Sequence, residues 1–461
     1  MTASPSSGRR LSRTAGGWPA AAPVTLVHLG LGNFYRAHQA WYTARAPDTE
    51  QWGYAAFTGR SAPLAESLES QNGLYTLITR AADGDRFQVI ASISRAHAGT
   101  DHGAWLGYLA SPDVHAVTIT VTEAGYLRGT GGGLDRDRTQ LQTDLAALRR
   151  NFRAPVTTPP ARLVAGCAAR RAADAGPLAL VSCDNLPSNG AVTAEIVRDL
   201  AELVDPGLAA WIDASVTFVT TVVDRITPRG APDDRDTVLA GTGFADGCPV
   251  TTESFSEWVL SGDFPAGRPR WEDAGATFTD DIAPYEQRKL WLLNGAHSLL
   301  AYTGLLRGHG TVAEAASDNS CRQWMQQWWS DASRHLSLRG DEVAAYQSAL
   351  LHRFANPRIR HRLDQIATDG SQKLPVRVLP VLRAERAVGR LPRGAARVLG
   401  AWVCYLRGAA GAVADVRADE LTSLANGPLP VAVPRVLDAL NVGLGSDGDL
   451  VAAVQSDAEE R

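Results

Sequence analysis

The sequence predicts an α/β domain in its N-terminal part and a mostly α-helical domain in its C-terminal part. Up to about residue 280, short apolar runs that favour strands alternate with segments of helical periodicity. This alternation is typical of a mostly parallel sheet covered by helices. Beyond that point strand signals become few. We therefore place an α/β domain at 24–280 and a helical domain at 281–461, after a leader at 1–23.

The strand predictions begin at Val24–Leu29, a largely apolar run that ends in a glycine pair. Later β-rich runs lie at 54–58, 116–121, 178–182 and 216–223. The runs 74–80 and 87–94 flank Asp83-Gly84, a dipeptide typical of hairpin turns. In the C-terminal part, helical periodicity predicts helices at about 284–305, 322–335, 342–354 and 395–407.

The composition excludes several classes of partner. A net charge of −4 provides no basic field for nucleic acid, and no apolar run approaches the roughly 20 residues that span a bilayer. The five cysteines are scattered and form no C-x-x-C pair, which favours a reducing cytoplasm. The first 23 residues are rich in Ser, Arg, Gly and Ala and predict a disordered leader. We expect a cytoplasmic monomer or weak oligomer that acts on a small molecule.

A candidate phosphate loop follows the first strand. Gly30 suits the tight turn, and Gly32 would let the backbone approach a pyrophosphate at the start of the next helix. Tyr35 replaces the third glycine of the usual fingerprint, so a plain strand-to-helix turn remains an alternative. The predicted cofactor contacts in this loop are Gly30, Gly32, Asn33, Phe34 and Arg36.

The end of the second strand bears on the choice between NAD and NADP. In NAD enzymes an acidic residue at this point commonly binds the ribose 2′-hydroxyl. Here the chain has Arg60 and Ser61, which could instead hold a 2′-phosphate. Both cofactors stay open.

One predicted helix carries a set of polar side chains suited to proton transfer. Only two of the 45 basic residues are lysines, Lys289 and Lys373, and a desolvated lysine, unlike arginine, can titrate near neutral pH. On a regular α-helix Glu286, Lys289, Asn294 and His297 fall within an arc of about 140°. Lys289 could exchange a hydroxyl proton while Asn294, with Asn185 after a strand, stabilises charge on the oxygen. A polar helix face at a domain interface is the alternative reading.

Six segments in order resemble the polyol-specific long-chain dehydrogenases, which include mannitol 2-dehydrogenase and fructuronate reductase. The resemblance extends from residue 24 to about 408 and so covers most of the chain. The segments are His28–Gln39, Thr120–Tyr126, Ser182–Asn185, Val223–Pro228, the lysine helix Pro284–His297, and Asp369–Pro375.

The resemblance implies a Rossmann-like N-terminal domain that binds NAD or NADP, a helical C-terminal substrate or catalytic domain, and no metal. It makes Lys289 the acid/base, assisted by Asn185, Asn294 and His297, with Glu286 relaying the proton. The remaining contacts that it implies are Thr122 and Glu123 for the cofactor and Val223, Asp224 and Lys373 for the substrate.

The resemblance leaves the substrate open. Interconversion of a polyol and a ketose, such as mannitol and fructose, is our first expectation. Gln365 stands where some mannitol 2-dehydrogenases have arginine, and its segment is closer to fructuronate reductases, which make D-mannonate. A carboxylate substrate would want an added cation, with Lys373, Arg225 or Arg358 as candidates. Mannitol-1-phosphate 5-dehydrogenase and an inactive dinucleotide-binding regulator are weaker alternatives.

Overall fold

A computed structural model describes residues 8–15, 17–59, 61–129 and 132–460. The chain divides into two units, Met1–Ile282 and Ala283–Arg461. All strands in the described residues belong to the first unit, and the second is built from helices. This arrangement confirms the predicted fold class. None of the described helices is both long and apolar enough to cross a membrane.

The first unit contains sheets of eight, three and two strands. Its strands are β1 (Arg9–Arg10), β2 (Val24–Leu29), β3 (Gly53–Phe57), β4 (Tyr75–Ala81), β5 (Gly84–Ile90), β6 (Ile93–His97), β7 (Ala116–Ile119), β8 (Leu178–Ser182), β9 (Val216–Asp224), β10 (Phe244–Ala245), β11 (Val250–Thr252), β12 (Glu257–Ser261) and β13 (Thr277–Phe278). Its helices are α1 (Asn33–Ala37), α2 (Gln39–Arg45), α3 (Pro63–Ser70), α4 (His102–Leu109), α5 (Thr139–Arg150), α6 (Pro159–Ala172), α7 (Asn189–Val204), α8 (Pro206–Ser215) and α9 (Asp234–Thr242).

The large sheet has the strand order of dinucleotide-binding folds. Its order is β13-β12-β9-β8-β7-β2-β3-β6. The six neighbouring strands β9, β8, β7, β2, β3 and β6 are parallel. In chain order those six strands lie as 3-2-1-4-5-6, the doubly wound arrangement. The loops after β2, β3, β7, β8 and β9 therefore open at one edge, where such folds bind their ligands.

The apolar runs of the sequence form this sheet because both of its faces are covered. Every residue of β3, β7 and β8 is buried, as expected for strands between two helical layers. Along β2, Leu26 packs into one apolar cluster while Val27 and Leu29 pack into the other. The predicted hairpin is also confirmed, since β4 and β5 pair antiparallel up to Ala81 and Gly84.

The N-terminal segment is folded where the structure describes it, so the prediction of a disordered leader is wrong for residues 8–15 and 17–23. β1 pairs with β10, and Leu11 is fully buried. Arg13 donates hydrogen bonds to the backbone carbonyls of Pro19, Asn72, Ala91 and Ile93. A polar composition predicted disorder, but these partners lie up to 80 residues away and leave no local signal.

The second unit contains twelve α-helices within its described residues. They are α10 (Ala283–Arg288), α11 (Ala296–Leu306), α12 (Val312–Ser317), α13 (Asn319–Ser333), α14 (Gly340–Phe354), α15 (Leu363–Ala367), α16 (Gly370–Arg377), α17 (Leu379–Ala387), α18 (Arg393–Leu406), α19 (Ala418–Ala425), α20 (Leu429–Leu440) and α21 (Gly448–Glu459). A π-helical segment, Lys289–Gly295, joins α10 to α11. The predicted helices at 322–335, 342–354 and 395–407 correspond to α13, α14 and α18.

Candidate active site

The two glycines of the predicted phosphate loop have different reasons to be glycine. Gly30 has φ +111°, and a Cβ there would lie 2.1 Å from the carbonyl oxygen of Thr120. The fold itself therefore requires Gly30. Gly32 has an extended backbone with φ −148°, and the nearest atom to an added Cβ is the Gly30 oxygen at 3.6 Å. Gly32 thus leaves open space that a pyrophosphate could fill, which fits a dinucleotide.

Arg36 is turned inward and supports this loop. It is 2% exposed, and its Nη1 donates to the carbonyl of Cys248 at 2.5 Å. Nη2 donates to Asn33 Oδ1 at 2.7 Å and Nε to the Gly32 carbonyl at 3.3 Å. Phe34 stacks on His38 with ring centroids 5.0 Å apart. The guanidinium of Arg36 thus binds three protein acceptors in this structure. The phosphate contact foreseen for Arg36 stays a prediction.

A buried arginine that the sequence analysis missed lies beside the end of β3. Arg162, on α6, is 2% exposed, and its Nη1 is 3.5 Å from the carbonyl oxygen of Thr58. Its guanidinium lies over the rings of Phe57 and Trp105, at 5.7 and 5.2 Å, and burial lowers its pKa to about 10. Arg60, the cation predicted for this position, lies outside the described residues.

Hydrogen bonds connect the segments that follow β7 and β8, close to the predicted site residues of both segments. The Tyr126 hydroxyl donates a hydrogen bond to the Asp184 carboxylate, and burial raises the pKa of both groups. The Asn189 amide donates to the Asp184 carbonyl at 3.1 Å. This network fixes the backbone that carries Asn185, whose side chain is exposed. The predicted cofactor contacts Thr122 and Glu123 are also exposed at this edge.

The end of β9 holds two further predicted residues in a buried position. Val223 and Asp224 are 2% and 4% exposed and pair with β12. The next residue, Arg225, donates to the carbonyls of Ala37 and Glu253. Because its donors bind buried carbonyls, Arg225 is a poor candidate for the cation that a carboxylate substrate would need.

In the second unit the lysine helix is not the uninterrupted α-helix that the sequence analysis assumed. Lys289 begins the π-helical segment and Asn294 lies near its end, while Glu286 belongs to α10 and His297 to α11. On an α-helix, residues five apart point about 140° away from each other. A π-helix bonds residue i to i+5, so the wider turn brings Lys289 and Asn294 towards the same side. The predicted 140° arc is therefore wrong, and the angle between these two side chains is smaller than it implied.

Two tryptophans of α13 contact the backbone of this π-helical segment. Trp328 Nε1 donates to the Trp291 carbonyl and Trp329 Nε1 to the Leu292 carbonyl, both at 2.8 Å. Both indoles are buried. Neither tryptophan was predicted from the sequence, where the only signal is an unusual density of tryptophan, in Trp324-Met-Gln-Gln-Trp328-Trp329.

His297 has a buried ring nitrogen with no hydrogen-bond partner among the described residues, Nε2. Its ring lies 4.9 Å from the rings of His361 and Phe354. Burial, and to a smaller extent the neighbouring His361, Arg353 and Arg377, lower the pKa of His297 well below its ordinary value. Burial also lowers the pKa of His361 to about 4. Both imidazoles are therefore neutral near pH 7. A neutral imidazole can donate a hydrogen bond through one ring nitrogen and accept one through the other.

Lys373, the second lysine of the chain, binds the last turn of α15 and the residue that follows this helix. Its Nζ donates to the Ile366 carbonyl at 3.2 Å and to Thr368 Oγ1 at 3.0 Å. The substrate contact foreseen for Lys373 stays a prediction. Among the described residues, no group of three or more His, Cys, Asp and Glu side chains is arranged to hold a metal ion.

Two family models match the chain in succession. The Mannitol dehydrogenase Rossmann domain matches residues 24–273, and the Mannitol dehydrogenase C-terminal domain matches residues 281–430. Together they cover most of the α/β unit and most of the helical unit.

Individual relatives extend the comparison. The chain is 36% identical over 393 residues to D-mannonate oxidoreductase of Escherichia coli (strain K12), covering 83% of this chain and 80% of that protein. It is 38% identical over 400 residues to D-arabinitol 4-dehydrogenase of Ralstonia nicotianae, with 84% of each covered. Among solved structures, Pseudomonas fluorescens mannitol 2-dehydrogenase in a ternary complex with NAD and D-mannitol has 32% identity and a TM-score of 0.80. That match covers 95% of this chain and 92% of that one.

Proposed function

This chain belongs to the mannitol dehydrogenase family, and we infer that it is an NAD-dependent oxidoreductase acting on the CH–OH group of a polyol or sugar acid. The observation that carries this inference is the match of both family domains, which together span 24–273 and 281–430. The doubly wound strand order and the open space at Gly32 support dinucleotide binding independently.

We propose that the polar side chains of the lysine helix handle the proton. A bound nicotinamide dinucleotide, held at the loop of Gly30 and Gly32, would supply the hydride acceptor for oxidation and the hydride donor for reduction. Lys289 accepts the hydroxyl proton in oxidation and gives it back in reduction. The Asn294 amide donates a hydrogen bond to the oxygen as its charge develops. The assisting role expected for Asn185 from the family resemblance stays a prediction. His297, neutral because it is buried, orients the substrate through Nε2, and Glu286 passes the proton to solvent.

For the cofactor we propose NAD, the dinucleotide of the solved mannitol 2-dehydrogenase complex. Use of NADP is the alternative, and it depends on the residues at the end of β3. A 2′-phosphate would need a cation there, and Arg60 and the buried Arg162 are the candidates. KM values for NADH and NADPH, measured with one substrate, decide between them. A preference for NADH above tenfold would exclude the 2′-phosphate role.

For the substrate we propose a polyol/ketose pair of the mannitol and fructose type. Reduction of fructuronate to D-mannonate is the second candidate, favoured by the Gln365 segment and by the similarity to D-mannonate oxidoreductase. Oxidation of NADH at 340 nm with fructose, fructuronate, a pentulose and fructose 6-phosphate, each in turn, compares the candidates. Activity with none of them would favour a binding protein without catalysis.

The role of Lys289 is tested by a pair of substitutions. Lys289→Ala should lower kcat by at least three orders of magnitude while the Kd for NADH stays within about twofold, because the amine acts on the proton and not on the dinucleotide. Lys289→Arg keeps the positive charge but cannot give up its proton near neutral pH, so it should be almost as inactive. Turnover near that of the native enzyme in either variant would refute the role.

A further inference from the structure

The π-helical segment is the structural feature that relates Lys289 to Asn294. The helix bonds in the α pattern through Arg288 and again from Ala296, and only the seven residues Lys289–Gly295 are π-helical. Single π-helical turns inside α-helices are rare and occur frequently at functional sites. Restoring a regular α-helix here would rotate the Asn294 amide away from the Lys289 amine.

A change of helical period needs external support, because it disturbs the regular ladder of backbone hydrogen bonds. Carbonyl groups buried at such a place require partners, since a buried unpaired carbonyl costs free energy. Trp291 is 9% and Leu292 0% exposed. Their carbonyl oxygens accept the indole N–H groups of Trp328 and Trp329 at 2.8 Å. Two successive carbonyls in the middle of the π-helical segment thus accept hydrogen bonds from side chains of α13.

The packing around Trp328 shows how closely α13 approaches the segment. A Cβ on Gly295, the last π-helical residue, would lie 2.5 Å from Trp328 Cζ2 and 2.8 Å from Nε1. A Cβ on Gly394 would lie 2.7 Å from Trp328 Cα. Glycine at both positions allows the indole to reach the Trp291 carbonyl.

Trp329 is also connected to the predicted substrate side of the helix. Its ring stacks on Phe354 at a centroid distance of 6.4 Å. Phe354 in turn lies 4.9 Å from the ring of His297. Trp329 therefore contacts the backbone that carries Lys289 and Asn294 and lies one ring away from His297.

We propose that Trp328 and Trp329 are positioning residues that hold the Lys289–Gly295 segment in its π-helical form and so keep the Lys289 amine and the Asn294 amide on one side of the helix. The proposal rests on the proposed proton-transfer role of Lys289 and Asn294. Neither tryptophan needs to touch substrate or cofactor. Their contribution is the pair of indole N–H donors, which an aliphatic or phenyl side chain could not supply.

The test compares substitutions that separate the N–H donor from the packing. Trp329→Phe keeps an aromatic ring but removes the donor, whereas Trp329→His keeps a ring N–H in a smaller side chain. If the donor matters, kcat should fall at least tenfold in Trp329→Phe and recover in part in Trp329→His. If packing alone matters, the larger phenyl ring should be tolerated better than imidazole. Trp328→Phe should behave like Trp329→Phe.

A control on the same helix and two further measurements complete the test. Trp324→Phe removes an indole that lies over the guanidinium groups of Arg307 and Arg397, outside the π-helical segment, and should leave kcat within twofold. In Trp329→Phe the pH profile of kcat should shift, because the amide no longer faces the amine, while the Kd for NADH stays unchanged. A loss of stability alone would leave the pH profile of kcat unchanged. It would also not make the His variant more active than the Phe variant.

The outcomes distinguish this inference from the proposed function. Folded Trp328→Phe and Trp329→Phe enzymes with native kcat and native pH profile would overturn the positioning role, even if Lys289→Ala is inactive. If Lys289→Ala is itself active, the proton-transfer role fails first. Should Trp328→Phe not fold, the ranking of Trp329→Phe against Trp329→His still decides.

Discussion

At the scale of single residues, similar side chains in one motif have different physical roles. The sequence already indicated Gly30 for the tight turn and Gly32 for the approach of a pyrophosphate, and the structure adds the steric reason, because a Cβ would meet the Thr120 oxygen at Gly30 but open space at Gly32. Arg36 shows a limit of prediction from the sequence. Its place after the loop predicted a phosphate contact, whereas its guanidinium is buried and donates to Gly32, Asn33 and Cys248. The direction of a long side chain depends on acceptors that the local sequence does not contain.

The two glycines lead to a paired prediction. Gly32→Val should raise the Kd for NADH at least tenfold with little loss of stability, because the backbone is extended and no protein atom lies within 3.5 Å of the added Cβ. Gly30→Ala should instead destabilise the first unit, since its Cβ would lie 2.1 Å from the Thr120 oxygen at a φ of +111°. Fluorescence titration with NADH and urea unfolding measure the two effects. Unchanged cofactor affinity in Gly32→Val would contradict the loop assignment.

At the scale of elements, the short N-terminal segment depends on one arginine. Arg13 donates to the carbonyls of Asn72, Ala91 and Ile93, which lie far along the chain. A hydrogen bond that involves a charged group typically contributes about 1.5–3 kcal/mol to stability. Arg13→Ala should therefore lower the free energy of unfolding by about 2 kcal/mol, measured by urea titration.

The matched control for this prediction is Arg10→Ala, in the same segment. Arg10 is exposed, and it pairs with Ala245 in the two-stranded sheet of β1 and β10. Its substitution should change the free energy of unfolding by less than about 0.5 kcal/mol. Equal effects of the two substitutions would mean that Arg13 does not anchor the segment.

At the scale of the whole molecule, buried neutral histidines make stability sensitive to acid. Burial lowers the pKa of His28 to about 3 and that of His361 to about 4, and lowers that of His297 as well. An unfolded histidine has a pKa near 6.5. Between these values the unfolded chain binds protons that the folded protein does not. Stability is therefore complete above about pH 6.5 and falls on acidification, by up to about 1.4 kcal/mol per pH unit for each histidine.

This dependence is tested by urea titrations at pH 7, 6 and 5. His361→Phe keeps an aromatic ring without a titrating group and should reduce the loss of stability between pH 7 and pH 5. His352→Gln, at an exposed position, is the matched control for the substitution of a histidine. A slope equal to that of the native protein in His361→Phe would show that this imidazole is not neutral in the folded state.

The sequence alone determined the fold class, the family and the residues of the lysine helix. Periodicity, turn dipeptides and ordered motifs are local properties, and they carry that information without any contact between distant segments. The tertiary structure decided the rest: the π-helical form of Lys289–Gly295, the inward turn of Arg36 and the folding of the N-terminal segment. Each depends on partners far along the chain, such as Trp328, which lies 37 residues beyond the carbonyl of Trp291. Helical periodicity assumes 3.6 residues per turn, so it could not foresee a turn whose period is changed by donors from another helix.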